Sequence, residues 1–423
     1  MAGPLGICAK CGAQAMECRF FGEHLLERRC SKCGNEVRTK PPVLAKKVIY
    51  LDQWVISEMA NQLDPVLREK KGEKTDPFYA ELYADIEGLV KLHVAAFPES
   101  PLHYRESLVT PFLDPLRYLY EHLACGTRFD EPLQIYVAQL YDKFLECLVK
   151  DAGSEVGQWS SRARVLDGDL NAWSDRIRVS ARFPLRGAEV DFERGFRRDS
   201  NALLEADAQR WRQSPGRSFD EWYVHHRRDL TDQVLRCFEL RIPGIFGMTC
   251  DGMVQRLQAD GESEQAARDR VIAFLRSDDA TRVPYCEISA LLFASMSQKV
   301  ADQGQNKKVG HNDLNDVHAI AAYLPYCDAI CVDGYYEELL RKRDVASRMT
   351  SHRAQVFSPG KKLEFQAYLR ELRGSASAEL HDTVLGVYGE SWLKPYDTIL
   401  EYHRSREKKG HSDPRPASDP DSK

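Results

Sequence analysis

Two groups of side chains in this chain have the types and spacing for metal chemistry. Cys8-x-x-Cys11 and Cys30-x-x-Cys33 are separated by 18 residues, and each pair is followed directly by a glycine, Gly12 or Gly34. A C-x-x-C turn presents two thiolates to one tetrahedral ion, and a glycine after the second cysteine suits so tight a turn. A unit this small cannot build an apolar core of its own. Structural zinc in such units contributes roughly 10–16 kcal/mol of apparent folding energy. Residues 1–40 are therefore expected to form a zinc ribbon with these four cysteines as ligands. Cys18 and His24 fall between the pairs. They read as bystanders, although either could substitute for a ligand. The second group is acidic: Asp52, Glu106, Asp313, Asp316 and Asp333. The chain has no G-x-S-x-G, no P-loop and no G-x-G-x-x-G.

The acids gain meaning from the elements that must hold them. Lys47–Leu51 is a short apolar run of strand type, ended by Asp52. Residues 92–97 read as a second buried strand, stopped by Pro98. Ser100 and Pro101 make an N-cap and first-turn pair for a helix carrying His103 and Glu106. Asp313 opens a helix that runs to Leu324 and includes Asp316. Ala329–Val332 reads as a strand ended by Asp333, and Ala354–Phe357 as a last one. Strand–helix alternation implies a parallel sheet, whose carboxyl ends share one edge, where open α/β sheets place their sites.

Carboxylates gathered at one edge repel one another. Two at about 4 Å cost on the order of 4 kcal/mol at an effective dielectric of 20. A hard divalent cation, Mg2+ or Mn2+, answers that repulsion and can activate water for phosphodiester hydrolysis. Local roles compete with this reading. Asp313 and Asp316 also stand where an N-cap and an N3 acid belong, and Asp52 and Asp333 where strand-end turn residues belong. His103, one turn before Glu106, reads as a structural histidine that could also orient a carboxylate. Asp328 precedes its strand and should face the opposite edge. Cys327 and Cys331 read as buried thiols.

The segments VIYLDQWVIS, FPESPLHYRES and NDLNDVHAIAAYLPYCDAICVDGYY together resemble a divergent branch of the PIN-like nuclease superfamily. The resemblance covers about residues 45–110 and 285–360. It implies a parallel sheet flanked by helices and three or four acids binding Mg2+ or Mn2+. Carried across, Asp52 matches the first-strand aspartate and Glu106 the helix glutamate. Asp316, with Asp313 beside it, matches the third acid, and Asp333 the last. The choice between Asp313 and Asp316 stays open. The implied activity is a metal-dependent endonuclease acting on RNA in preference to DNA, as a toxin or defence effector does. The alternative is a non-catalytic zinc-ribbon adaptor that binds nucleic acid or protein through a degenerate nuclease fold.

The chain departs from the compact family pattern by a long helical, arginine-rich insertion at about 112–280. Within it, RWRQSPGRSFDEWYVHHRR (residues 210–228) interleaves arginines with Trp211, Phe219, Trp222 and Tyr223. Such a stretch could grip phosphates and stack bases, or be a solvated helical face over buried aromatics. The expected organisation is a ribbon at 1–40, an α/β nuclease domain at 45–360, C-terminal helices at 361–405 and a disordered tail at 406–423. A formal charge of −5 and a pI near 6.2 confine any basic footprint to a local patch. No signal-peptide pattern and no apolar run of membrane-spanning length is found. The 12 cysteines then read as reduced thiols or ligands, with a cytoplasmic location expected. The ribbon or the insertion could also take a protein partner.

Overall fold

The computed structural model describes residues 6–21, 25–71, 76–108, 113–151, 165–167, 170–171, 173, 187–303 and 309–393. His24, residues 394–405 of the expected C-terminal helices and the tail at 406–423 lie outside them. At the N-terminus, β1 (Gly6–Ile7), β2 (Gln14–Phe21), β3 (Leu25–Cys30) and β4 (Glu36–Thr39) form an antiparallel meander in the order β1-β2-β3-β4. After Pro41 and Pro42 the chain enters β5 (Lys47–Tyr50), then α1 (Gln53–Leu63), α2 (Pro65–Lys71) and α3 (Phe78–Lys91), which return it to β6 (Ala95–Ala96). Helices α4 (Pro101–Leu108) and α5 (Leu113–Ala124) follow. Then come β7 (Arg128–Phe129), α6 (Pro132–Asp151) and β8 (Leu166–Asp167). The middle of the chain is helical: α7 (Gly187–Arg212), α8 (Phe219–Glu239), α9 (Ile245–Ala259), α10 (Glu264–Arg276), α11 (Pro284–Gln303) and α12 (His311–Tyr323). The chain then forms β9 (Ala329–Cys331), α13 (Gly334–Arg341), α14 (Arg343–Ala346) and β10 (Gln355–Phe357). It ends, within the described residues, on α15 (Lys362–Gly374), α16 (Ala378–Tyr388) and a short 3-10 turn at Glu390–Leu393.

The second sheet has the order β10-β9-β5-β6, and every pair in it is parallel. Alternate strand residues feed two cores, as period-2 side-chain geometry requires. Val48, Tyr50, Ile330 and Val332 pack with α4 and the helices from α6 to α14, whereas Ile49, Leu51, Ala329 and Cys331 pack with α1, α2, α3, α5 and α15. Both faces are covered, which explains why these strands read as unbroken apolar runs. The β5-to-β6 crossover lies on one face and the β9-to-β10 crossover on the other. The order therefore reverses between β5 and β9, the two central strands.

Three expectations need correction. The second strand is only Ala95–Ala96, because α3 ends in a turn at Leu92–His93 with His93 at φ 57°, a left-handed conformation that breaks the extended run. The 112–280 insertion does not stand apart from the sheet: the described residues of α6 to α10 share one continuous core with β5, β9, α11 and α12. Asp313 does not open its helix. Gly310 is the N-cap of α12, which starts at His311, and Asp313 sits at N3. Cys327 and Cys331 are buried, as expected. Among the described residues, no helix is long and apolar enough to cross a membrane.

Candidate functional site

The four cysteines of the meander converge. Their sulfurs all lie within 4.8 Å of one another, with Cys8–Cys33 and Cys11–Cys30 each 3.7 Å apart. An ion with Zn–S bonds of about 2.3 Å at the centre of a regular tetrahedron needs sulfurs about 3.8 Å apart, so the cage fits zinc. Two matching turns build it. The amide of Gly12 donates to Cys8 O at 2.8 Å, and that of Gly34 to Cys30 O at 2.9 Å. Both glycines take a left-handed φ, 67° and 68°, which is the reason for glycine there. Cys18 lies on β2 and approaches Gly386 O at 3.8 Å, away from the cage.

The ribbon does not reach the acids. It docks where the parallel strands begin, through a run of rings: Phe20 on Trp173 (5.4 Å), Trp173 on His93 (4.9 Å), His93 on Tyr388 (5.6 Å) and Tyr388 on Trp392 (4.6 Å). Trp173 Nε1 donates to Pro42 O at 2.8 Å, and Leu44, Leu92 and Val384 close an apolar patch around the indole. Asp328 belongs to this end as well. Its carboxylate accepts from the Val48 amide at 2.9 Å and pairs with Lys47 at 3.0 Å, as its place before β9 predicts.

The acids gather at the opposite edge, where β5 and β9 end. Asp52 follows β5 and caps α1, its Oδ1 accepting from the Gln53 amide at 2.6 Å. Asp333 follows β9 as the N-cap residue of α13, with an exposed side chain. Asp316 lies in the second turn of α12, and Glu106 on α4 is held by Asn315 Nδ2, 2.9 Å from Oε1. The starts of α1, α12 and α13 thus converge on the acids, and their partial positive ends offset some of the negative charge.

The electrostatics show that these carboxyls feel one another. Burial lifts Asp52 well above the usual carboxylate range, the charges of Asp333 and Glu106 lift it further, and the Gln53 amide opposes them. Asp316 is raised well above that range by burial and then by Asp52, Glu106, Asp333 and Asp313. Burial raises Glu106, against the Asn315 hydrogen bond, and loss of water and the Asp313 charge raise Asp333. The carboxylates are neighbours without being a closed cage: among the described residues, only the cysteines form a group of three or more metal-binding side chains within 4.8 Å of each other. Asp313 is engaged locally. Its Oδ2 accepts from the Gly310 amide at 2.8 Å and its Oδ1 from Tyr336 OH at 3.2 Å.

Other groups at this edge were not legible in the sequence. Glu193 of α7 is buried and accepts from Arg197 Nε at 3.1 Å, and Arg197 reaches Arg105 O at 3.2 Å. The insertion therefore contributes a wall of the acidic site. His103 is 2% exposed, and burial pushes it down to about 3, so it is neutral at physiological pH. Its Nε2 shares a 2.7 Å hydrogen bond with Tyr50 OH and stands 3.9 Å from Asp52 Oδ1, a packed neighbour rather than an ion partner.

In the aromatic–arginine stretch three of the four aromatics turn inward, and Tyr223 is half-buried. Trp211, Phe219 and Trp222 are core residues. Arg212 is held by Glu205 at 2.9 Å, Arg210 by Asp207, and Arg217 lies over the Trp222 ring. A surface hollow of about 560 Å3 along α8, lined by Arg217, Asp220, Arg228 and Asp232 among others, shares no residue with the acid cluster. Comparison with protein-family models, with curated proteins and with solved structures found no match for this chain.

Proposed function

We propose that the chain is a metal-dependent endonuclease of PIN-like type, acting on RNA in preference to DNA. The observation that carries this reading is the meeting of four carboxyls from four separate elements at the reversal point of a parallel sheet. Burial alone would favour apolar residues there. Asp52 is instead raised further by the charges of Asp333 and Glu106, and Asp316 by those of Asp52, Glu106, Asp333 and Asp313, an arrangement that costs stability until a cation shares it.

The donor set is all carboxylate, which suits Mg2+ or Mn2+ over softer ions. Asp52, Glu106, Asp316 and Asp333 would hold the cation, with Asp313 kept by its helix. When bound, the ion supplies charge neutralisation for a phosphodiester and polarises water. The chain's own contribution is orientation. The Gln53 amide fixes one oxygen of Asp52 and Asn315 fixes one oxygen of Glu106, and among the described residues the second oxygen of each accepts no hydrogen bond. Asp333, exposed at the rim, is placed to meet substrate first.

The ribbon is proposed as a zinc-held cap on the far end of the sheet. The insertion is proposed as the element that limits which nucleic acid reaches the acids. Incubating the full chain with mixed RNA and DNA in Mn2+, with and without chelator, tests the reading. Chelator-sensitive cleavage, stronger on RNA, is expected. Intact RNA and DNA would leave the non-catalytic adaptor in its place.

A further inference from the structure

We propose that Asn315 is a positioning residue that sets the orientation of Glu106 for cation binding, so that α12 aligns two of the four acids at once. The proposal rests on the metal-dependent reading above and extends it to the groups that hold the carboxylates in place.

The geometry is direct. Asn315 is 8% exposed and its Nδ2 lies 2.9 Å from Glu106 Oε1. An amide nitrogen only donates, so the bond favours the ionised form of Glu106 and fixes which oxygen points toward α12. A glutamate left to itself has a broad terminal torsion, which Asn315 removes. Among the described residues, Asn315 is the one side chain that hydrogen-bonds Glu106. Arg197 stands close enough to lower its proton affinity, but its own hydrogen bonds go to Glu193 and to Arg105 O.

The placement on α12 gives this bond a second consequence. Asn315 immediately precedes Asp316, the carboxyl that feels all the other acids. Asp313, one turn earlier, anchors the same helix through Gly310 and Tyr336. The run Asp313-Leu314-Asn315-Asp316 therefore divides three polar tasks: Asp313 holds the helix start, Asn315 holds Glu106 and Asp316 faces the cluster. Leu314 packs against the core and keeps the helix in register. A small turn of α12 would displace Asp316 and Glu106 together. Outer groups that orient metal-binding side chains are worth about 10–100-fold in metal affinity.

The test is a double-mutant cycle on the full chain, read as Mn2+ affinity from the electron paramagnetic resonance signal of free Mn2+. Asn315→Ala is expected to weaken Mn2+ binding at least tenfold in the parent, yet less than twofold in a Glu106→Gln background, because its effect passes through Glu106. Asn315→Leu, which keeps the branching of the side chain and removes the donor, should behave alike and decides the matter if the alanine variant does not fold. A merely structural role predicts equal loss in both backgrounds, and that result overturns the proposal. So does a parent-like affinity in both Asn315 variants. A parent chain that binds no Mn2+ would overturn the metal-dependent reading itself, and this proposal with it.

Discussion

The acids at the two ends of the sheet sit in different environments. Asp328 and Asp313 have their oxygens engaged by nearby partners, whereas loss of water raises Asp52, Glu106, Asp316 and Asp333, and the charges of neighbouring acids raise Asp52, Asp316 and Asp333 further. Carboxyls raised in the folded state favour folding while protonated. Their contribution is fully present below the unfolded value, about 4, and is lost as pH rises through the raised folded values. The metal-free chain should therefore lose melting temperature across that window, and Asp52→Asn should reduce the loss. At neutral pH the Asp52→Asn chain should melt higher than the parent without metal, by about 1 °C for each kcal/mol relieved in a chain of this length. An unchanged pH dependence in scanning calorimetry would contradict the mutual repulsion. Asp328→Asn makes the opposite contrast. It leaves the site untouched and loses an ion pair and a charged acceptor for Val48, so a destabilisation of about 1–3 kcal/mol with cleavage retained is expected. At this scale the sequence located the acids through their place at strand ends. It did not reveal Asn315 or Glu193. Neither carries a periodic or spacing signal, and the Asn315–Glu106 bond joins residues 209 apart in the chain.

At the scale of elements, the ribbon and α16 pack together. Phe20, Trp173, His93 and Tyr388 stack in succession, and the Arg28 guanidinium sits so close to Gly386 that a Cβ there would meet a nitrogen at 2.5 Å. The metal that folds the ribbon should also secure α16. Elemental analysis is expected to find about one zinc per chain, and Cys30→Ser with Cys33→Ser should lose it. In that variant, amide exchange should rise in the ribbon and around Gly386 while β9 stays protected; retained zinc, or protection unchanged at α16, would refute the linkage. The C-x-x-C-G spacing made the ribbon legible, but its docking site was not, because it depends on Trp173 and His93, isolated aromatic residues in unrelated segments. The 210–228 stretch misled for a related reason. Sequence shows aromatics between arginines but not which face they take, and α7 and α8 turn Trp211, Phe219 and Trp222 inward. Arg210→Ala with Arg212→Ala should accordingly change the salt slope of RNA binding by less than about one unit. A larger change would restore that face as a phosphate-binding surface.

In the whole molecule, a parallel α/β sheet carries the four-cysteine cage at one end and its acids at the other. The insertion belongs to the core, so its helices brace α4, α11 and α12 instead of hovering over the site. Strand–helix alternation made the sheet and the shared edge readable, since β5 and β9 are short apolar runs ended by aspartate. The extent of β6 and the inward packing of the insertion were not readable, because His93 in a left-handed turn and a core assembled from distant helices leave no local trace. The most direct test of the account compares the parent with Asp52→Asn, Glu106→Gln, Asp316→Asn and Asp333→Asn in Mn2+-dependent cleavage of single-stranded RNA, each variant first confirmed folded by circular dichroism. The account expects chelator-sensitive cleavage by the parent and at least a hundredfold loss in every amide variant. Cleavage by all four at the parent's rate would contradict it.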